Sequence, residues 1–186
     1  MEKTTSLKFT RLEEIEISEK MIEIFNFWFP KDTSFFRKQW FNNSLDSEIK
    51  DKYYEIFEKA TTRKYLPWNS PRDLVTLIII YDQFSRNLFR GTSQAYQNDS
   101  LAIKFAKLFF ESKFDSEHYY LGLSHIIFAL MPFRHSENLE DQKFVINKIS
   151  ELKTRFPSCN LLNKFELYSI KSYQTILEHG SFNRFK

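Results

Sequence analysis

Apolar residues along this chain recur every three or four positions and strand-like alternation is scarce, so the sequence predicts helices nearly throughout. The first helix is expected to start near Ser18. It carries Met21, Ile22, Ile24, Phe25, Trp28 and Phe29 before Pro30 ends it, leaving residues 1–17 as a less ordered N-terminal segment. A short element with Phe35, Phe36, Trp40 and Phe41 follows. A third helix, from about Leu45 to Ala60, puts Ile49, Tyr53, Ile56 and Phe57 on one face. Tyr65, Leu66 and Trp68 read as a connector over the core, where Pro67 discourages a helix.

The central helix has the clearest punctuation. Ser70 suits the N-cap, Pro71 the first helical position, and Asp73 puts a carboxylate in the first turn. The run Leu74-Val75-Thr76-Leu77-Ile78-Ile79-Ile80 is apolar on all sides, as in a helix surrounded by others. Gly91 sits where a stop residue belongs, giving about 20 residues and roughly 30 Å of helix.

Further helices are predicted over about residues 93–112, from after Asp115 to just before Pro132, from Ser136 to before Pro157, and over about residues 160–178, ending near Gly180. Tyr119 and Tyr120 belong to the second of these, with His118 and His125 on the same helix. Short connectors make neighbours antiparallel. The expected fold is all-α: a single domain over residues 1–186, built as an antiparallel array of about seven to eight helices.

Composition narrows the function classes. Aromatic residues make up 18% of the chain, with 21 Phe, so the core is ring-rich. Lys plus Arg is 27 against 24 Asp plus Glu, a net +3 that is too balanced for a nucleic-acid surface. The single cysteine, Cys159, excludes an internal disulfide. The N-terminus has no apolar run of signal-peptide length, and no apolar run approaches the roughly 20 residues needed to span a bilayer. These features read as a cytoplasmic protein that binds neither nucleic acid nor membrane.

Candidate chemistry concentrates in residues 81–99, YDQFSRNLFRGTSQAYQND. Asp82, Arg86 and Arg90 stand at i, i+4 and i+8, as one stripe of the central helix, with Gln83 and Asn87 one residue over. Guanidinium forks match carboxylate and phosphate, so this stripe is a candidate anion site. The same residues equally suit an internal salt bridge, since unpaired charges beside so apolar a run would be costly. Between two helices lies Met131-Pro132-Phe133-Arg134-His135-Ser136-Glu137. Ser136 is the expected N-cap, with Glu137 in the first turn, and His135 is a candidate acid, base or hydrogen-bond partner. Asp82 and His135 are the catalytic candidates; Asp82, Gln83, Arg86, Asn87, Arg90, His135 and Glu137 are the binding candidates. The histidines lack metal-ligand spacing, and neither a Gly-rich phosphate loop nor a GxSxG elbow is present, so no metal or cofactor is expected.

The run from Leu77 to Asp99 resembles the signature of the bacterial domain of unknown function 924 family, close to L-x-x-DQFPRNxFRGT-x-x-A-x-x-x-D. The matching residues are Asp82, Gln83, Phe84, Arg86, Asn87, Phe89, Arg90, Gly91, Thr92, Ala95 and Asp99. Phe27-Trp28-Phe29, Trp40-Phe41, Trp68-x-x-Pro71, Pro132-Phe133 and His135-Ser136-Glu137 extend the resemblance over roughly residues 20–180. It implies an all-helical, tetratricopeptide-like superhelix and no established activity. Ser85 stands where the family has Pro, and Ser172 where it has a His. A GRFPHRN-like segment is reduced to Gly180-Ser181-Phe182-Asn183-Arg184-Phe185-Lys186.

Two functions follow as expectations. In one, the polar end of the central helix binds a small anionic ligand, with catalysis open. In the other, the chain is a tetratricopeptide-like scaffold for a peptide or protein partner, and the polar motif is a buried structural network.

Overall fold

A computed structural model of the chain describes residues 11–31, 37–62, 70–116, 118 and 121–182. The protein is all-helical, with no strand among the described residues. Its helices are α1 (Arg11–Trp28), α2 (Asp46–Thr62), α3 (Pro71–Ile78), α4 (Ser85–Leu88), α5 (Asp99–Glu111), α6 (Leu123–His135), α7 (Leu139–Arg155) and α8 (Leu161–His179). A π-helical turn, Ile79–Phe84, joins α3 to α4, so the three form one interrupted central helix. Two short 3-10 turns cover Lys38–Phe41 and Ser93–Tyr96. The chain divides into two compact units, residues 1–129 and 130–186, with α6 running through the boundary.

In the first unit, α1 begins at Arg11 rather than near Ser18. The Glu-rich start is good helix-forming sequence, and Ile17 extends the stripe of Met21, Ile24 and Trp28 backward by one turn. At its C-terminal end, carbonyls left without helical donors are taken by side chains. Arg37 Nη1 donates to Phe27 O at 2.8 Å, and Trp40 Nε1 donates to Trp28 O at 3.0 Å. Trp28 and Trp40 both meet Phe128 of α6 edge-on, with ring centroids 5.4 and 4.8 Å apart, and Tyr53 of α2 stacks on Phe84 at 5.5 Å. The expected ring-rich core is therefore present.

The central helix starts as its sequence requires. Ser70 Oγ accepts from Asp73 N at 3.1 Å, and Pro71 opens the helix. Every residue from 74 to 85 is buried. Tyr81 stacks on Phe105 of α5 at 5.6 Å, and its hydroxyl donates to Ala60 O of α2 at 2.7 Å. Helical geometry stops at Leu88, short of the expected end, and Gly91 takes a left-handed φ of 81° in the turn beyond.

Three other boundaries differ from expectation. Ser93–Tyr96 is a separate turn, and α5 starts only at Asp99. Helix α6 starts at Leu123, so His118 precedes it instead of sharing it with His125. The same helix does not stop before Pro132 but carries it to His135. Proline forfeits one hydrogen bond, that to the carbonyl four residues back, and Leu130, Met131 and Phe133 around it are all buried. Phe35, Phe36, the Tyr65–Trp68 connector, Tyr119, Tyr120 and residues 183–186 lie outside the described residues.

In the second unit, α7 and α8 pack as an antiparallel pair. Lys153 near the end of α7 binds Glu166 near the start of α8 at 2.7 Å. Gln142 of α7 is fully buried. Its Nε2 reaches two carbonyls at the end of α6, those of Phe133 and Arg134, at 3.3 and 2.9 Å, and that of Ser136 just beyond at 2.6 Å. The N-cap of α7 is Asn138, not Ser136: Asn138 Oδ1 accepts from Glu140 N at 2.8 Å and Asp141 N at 3.2 Å. Because α6 extends through His135, residues 136–138 are the connector, and Glu137 lies there rather than in a helical first turn.

Candidate functional site

The polar end of the central helix forms two clusters in the first unit, one on each side of the helix. Arg86 is the hub of the first. Its Nη1 lies 3.0 Å from Asp82 Oδ1 and donates to the Asp82 carbonyl at 3.0 Å. The guanidinium also grips Asp99 of α5 with both nitrogens, Nη1 to Oδ1 at 2.9 Å and Nη2 to Oδ2 at 3.1 Å. Tyr96 lies beneath it, 5.4 Å from guanidinium carbon to ring centroid. The second oxygen of Asp82 accepts from Gln83 Nε2. Asp82 is 0% exposed, so both its oxygens are held by the chain's own donors. Beside them, Asn98 Nδ2 donates to the buried Ser85 Oγ at 3.0 Å.

The second cluster is centred on Asp46, the first residue of α2. Asn87 Nδ2 donates to Asp46 Oδ1 at 2.7 Å. Arg90 closes a two-toothed pair on the same carboxylate, Nε to Oδ2 at 2.7 Å and Nη2 to Oδ1 at 2.9 Å, and reaches Asn42 O at 3.3 Å. The expected single stripe of Asp82, Arg86 and Arg90 is thus corrected. Arg90 lies past the end of α4 and turns to α2, while Arg86 stays on the helix and turns to α5.

These contacts set the ionisation of the cluster. Burial pushes Asp46 up, but hydrogen bonds from Arg90 and Asn87 together hold it below the usual carboxylate range. Burial pulls Arg86 down, and Asp82 and Asp99 more than offset that, holding it above its ordinary value. Arg90 is likewise held up, chiefly by its bond to Asp46. The first cluster sets Asp82 and Asp99 around Arg86, and the second pairs Asp46 with Arg90. Asp46, Asp99 and Tyr96 were not among the site residues expected from sequence. Asp99 closes the recognised motif, whereas Asp46 has no local signal because its partner is 44 residues away.

A family described as Bacterial protein of unknown function (DUF924) matches residues 24–185. The chain belongs to the DUF924 family. The DUF924 match takes in both polar clusters and the α6–α7 connector. Among solved structures, the protein of unknown function ATU0120 from Agrobacterium tumefaciens is similar, with a TM-score of 0.68 and 21% identity over 90% of this chain and 86% of that one. At that identity the likeness speaks to the fold alone. No curated protein matches the chain.

The remaining DUF924 candidates lie in the second unit. His135 is the last residue of α6, and Glu137 accepts a hydrogen bond from Phe182 N at 2.9 Å. Ser136 Oγ donates to Asp141 Oδ2 at 2.7 Å. Ser172 is half-buried on α8. Among the described residues no group of His, Cys, Asp and Glu could hold a metal ion, and no helix is long and apolar enough to cross a membrane.

Proposed function

We propose that the polar motif of this DUF924 protein is an internal clasp joining α2, the central helix and α5, and that the protein works as a helical scaffold for a protein or peptide partner. The observation that carries this reading is the use of its charges. Both guanidiniums are occupied two-toothed by aspartates of the same chain. An anion arriving there would have to displace a carboxylate already held by two bonds, which opposes binding. Asp82 would need to shed the Arg86 and Gln83 donors, while fully buried, to act as a base. Partner binding draws support from α8, where Leu167, Tyr168 and Leu177 are 53%, 52% and 57% exposed.

Calorimetric titration with inorganic phosphate and citrate tests the clasp reading. The expected result is no heat of binding for the wild type. Saturable binding that Arg90→Ala abolishes would overturn it.

The second reading, a small anionic ligand, keeps one observation in its favour. The Arg90 side chain is 48% exposed, so its outer edge faces solvent beside the Gly91 turn. That reading requires the ligand to outcompete Asp46, and the same titration decides between the two.

A further inference from the structure

Helices α7 and α8 have 17 and 19 residues, so at 1.5 Å per residue they run about 26 and 28 Å. An antiparallel pair of such equal length brings the end of α8 back to the start of α7. Gly180 then takes a left-handed φ of 72°, which a residue with a Cβ rarely adopts, and turns the chain out of the helix. Two residues later Phe182 N donates to Glu137 Oε1 at 2.9 Å, closing a contact between positions 45 apart. Ser181 and Phe182 are half-buried although they follow the last helix.

We infer that Glu137 is the clasp of a short strap: its carboxylate holds Ser181 and Phe182 against the α6–α7 connector. A backbone N–H to an ionised carboxylate is among the stronger single hydrogen bonds. Glu137 is exposed, so the bond competes with water. The Gly180 turn is what permits the bond, because a continuing helix would carry residue 182 away from the connector.

Residue-resolved amide exchange on the full chain tests this. Gly180 N, at the C-cap of α8, is bonded to Ile176 O and serves as the internal control. In the wild type Phe182 exchanges more slowly than an unstructured peptide. In Glu137→Ala its exchange accelerates roughly tenfold while Gly180 is unchanged. Glu137→Gln keeps an acceptor oxygen but loses the charge, and falls between. Unprotected Phe182 in the wild type, no acceleration in Glu137→Ala, or equal acceleration at Gly180 would each overturn the clasp.

Discussion

Asp46 at the start of α2 and Arg90 just beyond the end of α4 form a two-toothed ion pair across 44 residues of sequence, at 2.7 and 2.9 Å. The same carboxylate also receives Asn87, which is 8% exposed, and sits at the positive end of the α2 dipole. The two sides of the pair are therefore unequal. Arg90 is half exposed, so Arg90→Ala is expected to cost about 0.5 kcal/mol. Asp46→Ala also strands the Asn87 amide and is expected to cost about 2 kcal/mol. Urea unfolding of both single variants and the double variant checks this; equal costs would contradict it.

Acidification is expected to act through His125. It packs between Phe25 and Phe29, with ring centroids at 5.1 and 4.2 Å, and its Nδ1 lies 3.2 Å from Gly122 O. Burial pushes its pKa below the ordinary value, more than the Gly122 contact raises it. The unfolded chain then binds the proton more readily than the folded one. This contribution to stability is present above the unfolded value of about 6.5 and is lost as pH falls below it. Urea midpoints at successive pH values from neutral downward should show a smaller acid loss in His125→Phe than in the wild type. Identical slopes would contradict the assignment. Asp46, held low, adds a separate loss only below its unfolded value of about 3.9.

Lys113 follows α5 with a φ of 56°, the left-handed region that glycine occupies freely. Phe114 N donates to Phe109 O at 3.1 Å across this turn, so the conformation terminates the helix. Lys113→Gly is expected to stabilise the protein by about 0.5–1 kcal/mol, seen as a higher Tm. A lower Tm would show that the lysine side chain contributes more than its backbone strain costs.

Local features were legible in the sequence because their partners are near. Ser70, Pro71 and Asp73 announce the start of α3, and the Asp82–Arg86 pair follows from a four-residue spacing. Long-range partners were not legible: nothing near Asp46 distinguishes it from an ordinary acidic residue at a helix start, and the motif that ends at Asp99 does not say that it grips Arg86. The π-helical turn was also hidden, because periodicity cannot show where one extra residue enters a turn. Pro132 and Ser136 misled for one shared reason. A buried apolar stretch carried α6 past its proline, and the connector and N-cap of α7 moved to Asn138.

The most direct test of the internal clasp is the stability of Arg86→Ala, measured by urea unfolding. Removing this guanidinium leaves Asp82 buried without its Arg86 partner and takes the two-toothed donor from Asp99. Breaking a buried pair in this way is expected to cost about 3–5 kcal/mol. Residues assembled for ligand binding tend to be held at a cost to stability, so their removal leaves the fold unchanged or firmer. A loss of that size supports the clasp; an Arg86→Ala protein as stable as the wild type, or more so, would contradict it.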